Sequence, residues 1–204
     1  MTTLVNLFPI QLHIKNLKDE NLLSTDFDIE INTILNEISE DRKLGTATGE
    51  YSTTIRSYDD IINIPSMSKF KSYMRNHMKQ AWADIGYEEC GIAIERSWIN
   101  RFQKGSRLAG HAHGSTEMVM TYYHNVTEGA ASISFFNPFD RQTGMAPFKN
   151  KVFTYTPKAG DLLAWPGFLW HEVTTHQIDQ SRVAISMNVH QGSYTLTDRW
   201  VRVD

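Results

Sequence analysis

The sequence predicts a mainly β chain with some helix (α+β): a double-sheet jelly roll with one or two N-terminal helices packed against a sheet. Three observations predict it. From Cys90 onward the chain breaks into short runs rich in β-branched and aromatic residues, each bounded by Gly, Pro, Asn or charge, the pattern of a sandwich or barrel. Before residue 90 the sustained periodicities are helical. At 204 residues, 41% hydrophobic and 21% charged, the chain has the size and composition to bury one core.

In chain order, "LVNLFPIQLHIKNL" reads as an opening strand, with Pro9 marking an edge because proline cannot donate to a ladder. "DFDIEINTILNEISED" places Ile31, Ile34, Leu35 and Ile38 at helical spacing. After Pro65 a longer stripe, Met67, Phe70, Met74, Met78, Ala81, Trp82 and Ile85, steps by threes and fours, with Ser66 as the expected N-cap. Such a stripe is core covering one sheet face rather than a cofactor box. The strands then follow as "GIAIERSWINRF", "EMVMTYYHNV", "ASISFFNP", "KVFTYTP", "GDLLAWP", "WHEVTT" and "RVAISMNVH". No repeat or low-complexity segment interrupts them. Neither side of residue 90 looks able to bury a core alone. The expectation is one domain over 1–204, with 1–90 as helical and edge-strand support and 91–190 as the jelly-roll core.

Composition excludes several functions. The formal charge of −3 and the lack of a Lys/Arg stripe disfavour nucleic-acid binding. No apolar run reaches a membrane span, and the N-terminus lacks the basic region and cleavage site of a signal peptide. The single cysteine, Cys90, allows no internal disulfide and reads as a small buried residue rather than a nucleophile. The expectation is a soluble cytoplasmic protein without membrane partners. Oligomeric state is not readable from the sequence.

The chemistry concentrates around "GHAHGSTE", Gly110 to Glu117. On an extended strand His111 and His113 share a face with Cα atoms about 6.5–7 Å apart, close enough to converge on one ion. A His-x-His pair alone is weak evidence. His171 strengthens it, since a third imidazole from a distant strand completes a facial set of three ligands that leaves positions open for substrate. Arg182 follows eleven residues later, and a hairpin turning near Ile178-Asp179 would bring it back beside the strand that starts at His171. On that return strand Arg182, Ala184, Ser186 and Asn188 share one face, and the apolar Val183, Ile185, Met187 and Val189 share the other. An arginine facing a cavity needs an anion, and its planar fork suits a carboxylate. A metal at one end and a guanidinium at the other measure a short dicarboxylate.

These residues resemble the Fe(II)/2-oxoglutarate-dependent oxygenases, and more narrowly a branch found in tailed phages and bacteria. The elements that carry the resemblance are Trp98, Asn100, Gly105, His111, His113, Tyr122-Tyr123, Gly160-Asp161, Pro166, His171, Arg182, Ser186 and Asn188. They run from about Glu95 to His190, slightly under half the chain; residues 1–90 match only loosely. The resemblance implies a double-stranded β-helix (cupin-like) fold, His111 and His171 as iron ligands, and Arg182 on the distal carboxylate of 2-oxoglutarate with Ser186 or Asn188 assisting. It departs at the second ligand, where the wider superfamily carries Asp or Glu and this chain has His113. His113 is the preferred third ligand. Glu117 is the alternative if the strand runs unbroken, and Ser115 or a water remains open. Tyr123 is the expected member of the tyrosine pair to enter the cavity and bond the cosubstrate.

The remaining candidates take plainer readings. His124 and His190 are expected at the surface or pocket rim, His176 in a solvated loop, and Asp161 as a turn former. Trp165 and Trp170 are expected as wall or core. The aromatic loop from Phe135 to Phe148 is the candidate lid. Three functions compete. The first is a non-haem oxygenase using Fe(II), 2-oxoglutarate and molecular oxygen to hydroxylate a small-molecule or peptidyl substrate, releasing succinate and CO2. The second is a cupin-type metal-dependent dioxygenase or isomerase without 2-oxoglutarate, which the spacing of "GSRLAGHAHGSTE" also fits but Arg182 opposes. The third is a non-catalytic jelly-roll binding or structural module.

Overall fold

A computed structural model describes residues 3, 8–18, 25–38, 47–55, 58–143, 150–192 and 201–203. Two antiparallel sheets face each other, and the first two helices cover the outer face of the larger sheet. The strands are β1 (His13–Asn16), β2 (Ala47–Thr48), β3 (Tyr51–Thr53), β4 (Ile92–Phe102), β5 (Arg107–His111), β6 (Met118–Asn125), β7 (Ile133–Phe136), β8 (Val152–Tyr155), β9 (Asp161–Pro166), β10 (His171–Val173), β11 (Arg182–Gln191) and β12 (Val201–Val203). The helices are α1 (Thr25–Ile38), α2 (Ser68–Ile85) and the short α3 (Pro138–Thr143). The larger sheet runs β1-β9-β6-β11-β4-β12, with β3 also on β4, and the smaller runs β2-β5-β10-β7-β8. This is the expected double-stranded β-helix.

Alternation along the strands divides the interior. Met118, Met120 and Tyr122 of β6, with Val183, Ile185, Met187 and Val189 of β11, meet α1 and α2 through Ile31, Leu35, Phe70, Met74 and Met78. Each such side chain contributes about 1.5–3 kcal/mol of burial. Val119 and Tyr123, one residue out of phase, join Leu163, Trp165, Ala184, Ile133 and Phe135 in a second cluster. The whole methionine-aromatic stripe of α2 is buried as expected. The outer core thus mixes residues from both sides of residue 90. Among the described residues no helix is long and apolar enough to cross a membrane.

Several expectations need correction. The opening strand forms only over His13–Asn16, at the sheet edge, with Pro9 before it; positions 4–7 lie outside the described residues. Ser66 does not cap α2. A 3₁₀ turn over Pro65–Met67 leads into the helix, Met67 stands at the N-cap, and its N–H is met by the Ile64 carbonyl at 2.9 Å. At the other end Gly86 takes the left-handed conformation (φ 95°) that closes the helix. Cys90 is half-buried against the core. The lid candidate divides: Phe135 and Phe136 belong to β7, α3 follows, and 144–149 lie outside the described residues.

The largest correction concerns the stretch between His171 and Arg182. It is no hairpin: β10 pairs with β5 and β7, whereas β11 pairs with β4 and β6 in the opposite sheet. The chain crosses between sheets there, and His176 anchors the crossing. Far from solvated, His176 is fully buried. Its Nδ1 accepts from the Ala131 N–H, and its Nε2 bonds the Gln180 carbonyl at 2.6 Å. Its backbone exchanges bonds with Gly105 and Ser106, both 2.8 Å.

A second tight connection, Pro166–Gly167, clasps the chain after β5. The His113 N–H donates to the Gly167 carbonyl at 2.9 Å, and the Gly167 N–H to the Glu117 carbonyl at 2.8 Å. A Cβ on Gly167 would sit 1.9 Å from the Thr116 carbonyl oxygen, a backbone atom that cannot swing aside. Gly167→Ala should therefore cost at least about 2 kcal/mol by forcing these turns apart. Denaturant unfolding checks this, and a variant as stable as the parent would contradict the clasp.

Candidate metal and cosubstrate site

Between the sheets lies a cavity of about 430 Å³. His111 ends β5 and His171 opens β10, and the two residues are paired across the ladder. His113 lies beyond the end of β5, in the turn held by Gly167, so strand alternation is not what aims it. The three rings nevertheless gather, with centroids 4.4 Å (His111–His171), 5.2 Å (His113–His171) and 5.4 Å (His111–His113) apart. One nitrogen from each lies within 4.8 Å of the others. A shared ion at about 2.0–2.2 Å per bond requires the three nitrogens to draw closer together than this.

The hydrogen bonds suit that role. His111 Nδ1 bonds the Ala109 carbonyl at 2.9 Å, His171 Nδ1 the Leu169 carbonyl at 2.9 Å, and His113 Nδ1 the Asn188 side-chain oxygen at 2.8 Å. Each partner is an acceptor, so each ring carries its proton on Nδ1 and presents a bare Nε2. Burial pulls all three pKa values down. For His113 burial brings the value to about 4, with the Asn188 bond opposing and His111 adding to the fall. His171 lies well below the usual imidazole range through burial and then His111, and His111 is lowered by burial. The rings are neutral at neutral pH. Trp165 sets its edge against His171 at 5.0 Å, and Trp98 lies parallel to His113 at 6.0 Å. Trp165 is wall, as expected; the Trp170 indole packs where a Gly110 Cβ would stand.

Arg182 lines the same cavity and is 2% exposed. Its guanidinium lies 4.8 Å from the centre of the Tyr123 ring and 5.0 Å from that of Phe102. Its Nε and Nη1 have no hydrogen-bond partner. A buried cation with idle donors calls for an anion, and burial lowers its pKa as that deficit requires. Ala184, Ser186 and Asn188 line the cavity beside it, and Val183, Ile185, Met187 and Val189 face the helices, as the alternation predicts. Tyr123 enters the cavity and Tyr122 the outer core.

Other expected residues land elsewhere. The strand does not run unbroken to Glu117; its carboxylate lies 2.8 Å from His190 Nδ1, outside the imidazole cluster. His190 also meets Glu95 at 2.7 Å. His124 is not at the surface: it is buried under α1 and bonds Asp28 at 2.6 Å. Asp161 is buried and accepts from Asn16, Tyr155 and the Lys158 N–H at 2.7–2.8 Å. Asn188 bonds His113 rather than the guanidinium. Sequence reasoning missed Tyr51 and Thr53 of β3, both bonded to the Asn100 side-chain oxygen; Asn100 in turn donates to Ser186 at 3.2 Å, and Ser186 meets Thr121 at 3.2 Å. Asn100 stood among the motif residues without a role, and nothing in a three-residue strand marked Tyr51.

Residues 96–188 match the family described as "putative 2OG-Fe(II) oxygenase". No curated protein matches the sequence significantly. Among solved structures, the fold is similar to SnoN, an epimerase of nogalamycin biosynthesis in complex with Fe3+, α-ketoglutarate and nogalamycin RO (TM-score 0.71, 12% identity, 96% of this chain and 94% of that one). It is similar to a Pseudomonas putida prolyl-4-hydroxylase (TM-score 0.63, 10% identity, 90% and 94%). It is also similar to an oxidoreductase of the 2OG-Fe(II) oxygenase family from Burkholderia pseudomallei (TM-score 0.58, 15% identity, 83% and 82%). At such identities the likeness is one of fold.

The buried neutral imidazoles fix the sign of a pH effect on the metal-free protein. Their folded pKa values lie below the unfolded value of about 6.5, so the unfolded chain binds more protons between there and about 4 for His113. Stability is fully present above that window and falls as pH drops through it, by up to about 1.4 kcal/mol per pH unit per histidine. Denaturant melts at descending pH should show this loss, and His113→Gln should reduce its slope; identical slopes would contradict a buried neutral His113.

Proposed function

We propose that this chain, whose residues 96–188 match a family described as "putative 2OG-Fe(II) oxygenase", is such an oxygenase, holds Fe(II) through His111, His113 and His171 and anchors the distal carboxylate of 2-oxoglutarate on Arg182. The observation that carries these assignments is the pairing, in one cavity, of three imidazoles that present bare Nε2 atoms with a buried guanidinium whose Nε and Nη1 have no partner. Bound iron and cosubstrate supply the oxidation: one oxygen atom of O2 enters a substrate C–H bond, and 2-oxoglutarate takes the other as it becomes succinate and CO2.

The residues present fit that chemistry. Three neutral ligands leave the metal its full double charge, which favours chelation by a dianion. Arg182 neutralises the far carboxylate, and Phe102 and Tyr123 hold its planar group in place. The Tyr123 hydroxyl serves as a second donor to that carboxylate. Ser186, fixed between Asn100 and Thr121, presents a polar wall along the diacid. Trp165 and Phe135 exclude water behind His171.

The cavity suits a small molecule or a single side chain of a peptide. A net charge of −3 speaks against nucleic acid, and the lone cysteine supports a reducing cytoplasm. We take the chain as one catalytic unit over 1–204, since the outer core draws on both sides of residue 90. A cupin-type reaction without 2-oxoglutarate would leave Arg182 without an anion.

Anaerobic addition of Fe(II) and then 2-oxoglutarate should produce the visible metal-to-ligand charge-transfer band of a chelated 2-oxo acid. Arg182→Ala should weaken 2-oxoglutarate binding about 10- to 100-fold, given roughly 1.5–3 kcal/mol for a hydrogen bond to a charged group. Iron uptake with no band, or a band indifferent to Arg182→Ala, refutes the cosubstrate assignment.

A further inference from the structure

The three candidate ligands are held in two different ways. His111 and His171 each bond a main-chain carbonyl two residues earlier, an acceptor that no substitution removes. His113 follows the end of β5, and its Nδ1 bonds a side chain from the opposite sheet instead. We propose that Asn188 is the positioning residue that makes His113 the third metal ligand, by fixing its tautomer and ring orientation, and that it is not a contact for the distal carboxylate. The proposal rests on the metal-site reading above.

A neutral imidazole has one N–H and one lone pair, and only the lone pair binds a metal. With its Nδ1–H donated to the Asn188 oxygen at 2.8 Å, His113 must offer Nε2. Without that acceptor the tautomers compete, and the ring is free to turn about its side-chain torsions. Asn188 is suited to the task. It is only 9% exposed, and its backbone is paired with Val119 on one side and Arg96 on the other. The β11–β4 register shifts between Asn188 and Val189, a bulge of the kind that re-aims a side chain. Trp98, stacked along the His113 ring, restrains the same imidazole from its face.

Distance separates Asn188 from the guanidinium. Six residues of extended strand place the Arg182 and Asn188 backbones about 20 Å apart. A five-carbon diacid spans about 7 Å at ordinary bond lengths. The two side chains therefore serve opposite ends of the cavity, and the amide belongs to the metal end.

The test uses metal binding in the absence of 2-oxoglutarate. Metal-free protein is titrated with Co(II), whose visible spectrum reports its ligands, beside Asn188→Leu and Asn188→Asp. Loss of the acceptor in Asn188→Leu should weaken Co(II) binding about 10- to 100-fold and change the spectrum, as loss of a partner behind a metal-bound histidine does. Asn188→Asp, which can only accept, should bind Co(II) at least as tightly as the parent. Thermal melts of the metal-free variants test their folding. If Asn188→Leu melts early, Asn188→Ser, too short to reach His113, replaces it with the same expectation. Co(II) affinity unchanged in the Leu or Ser variant overturns the proposal. So does a loss that appears only in a second titration, of 2-oxoglutarate into protein already saturated with Co(II). A parent protein that takes up no Co(II) defeats the metal site itself, an outcome distinct from normal uptake that ignores Asn188.

Discussion

The registration of β11 is the constraint on which the rest of the structure depends. Val183, Ile185, Met187 and Val189 lock one face of the strand against the helices, and that leaves Arg182, Ala184, Ser186 and Asn188 no choice but the cavity. A slip of one residue would turn every member of both sets over, burying a guanidinium among methionines and lining the cavity with isoleucine and valine. The penalty for either error is large, so the apolar face specifies the polar one. The functional face needs no hydrophobic reward of its own, because packing on the opposite face of the same strand fixes its direction. The helices of the N-terminal half therefore fix the cavity wall without lining the cavity.

That division explains what the sequence made legible. Alternation is a local property, so β4, β6, β9 and β11 and the faces of β11 could be read directly, as could the buried stripe of α2. Connections between sheets are not local. The path from His171 to Arg182 has the length and polarity of a hairpin, and only the buried His176, bonded to Ala131 and Gln180, shows that it crosses instead. Glu117 likewise sat at the right spacing for a ligand, but β5 ends at His111, and the intervening turn carries its carboxylate to His190. His111 and His113 do lie together, with ring centroids 5.4 Å apart, but the Gly167 clasp rather than strand pleating brings the second ring in.

The N-terminal half also reaches the cavity by a route that no pattern marked. Tyr51 and Thr53 place their hydroxyls on the Asn100 carbonyl oxygen, and the Asn100 amide hydrogen goes to Ser186, beside Thr121. With its oxygen occupied by two donors, Asn100 can offer Ser186 only its nitrogen, so the amide cannot flip. Ser186 must then accept, and its own proton is directed to Thr121 or into the cavity. A short strand thus sets the donor direction of a hydroxyl at the cavity wall.

The electrostatics of the cavity follow from these fixed directions. Neutral imidazoles at one end and a buried guanidinium at the other give the cavity an excess of positive potential, a state that burial penalises. A dication at the imidazoles increases that excess, so metal binding alone does not relieve it. A dianion bridging both ends does, because each carboxylate meets a cation from which water has been removed. On the proposed assignment, metal and diacid would each make the site more favourable for the other, a coupling that works in both directions. In that reading histidine at position 113 strengthens the coupling, because a carboxylate there would already cancel one of the charges that the diacid is needed to balance.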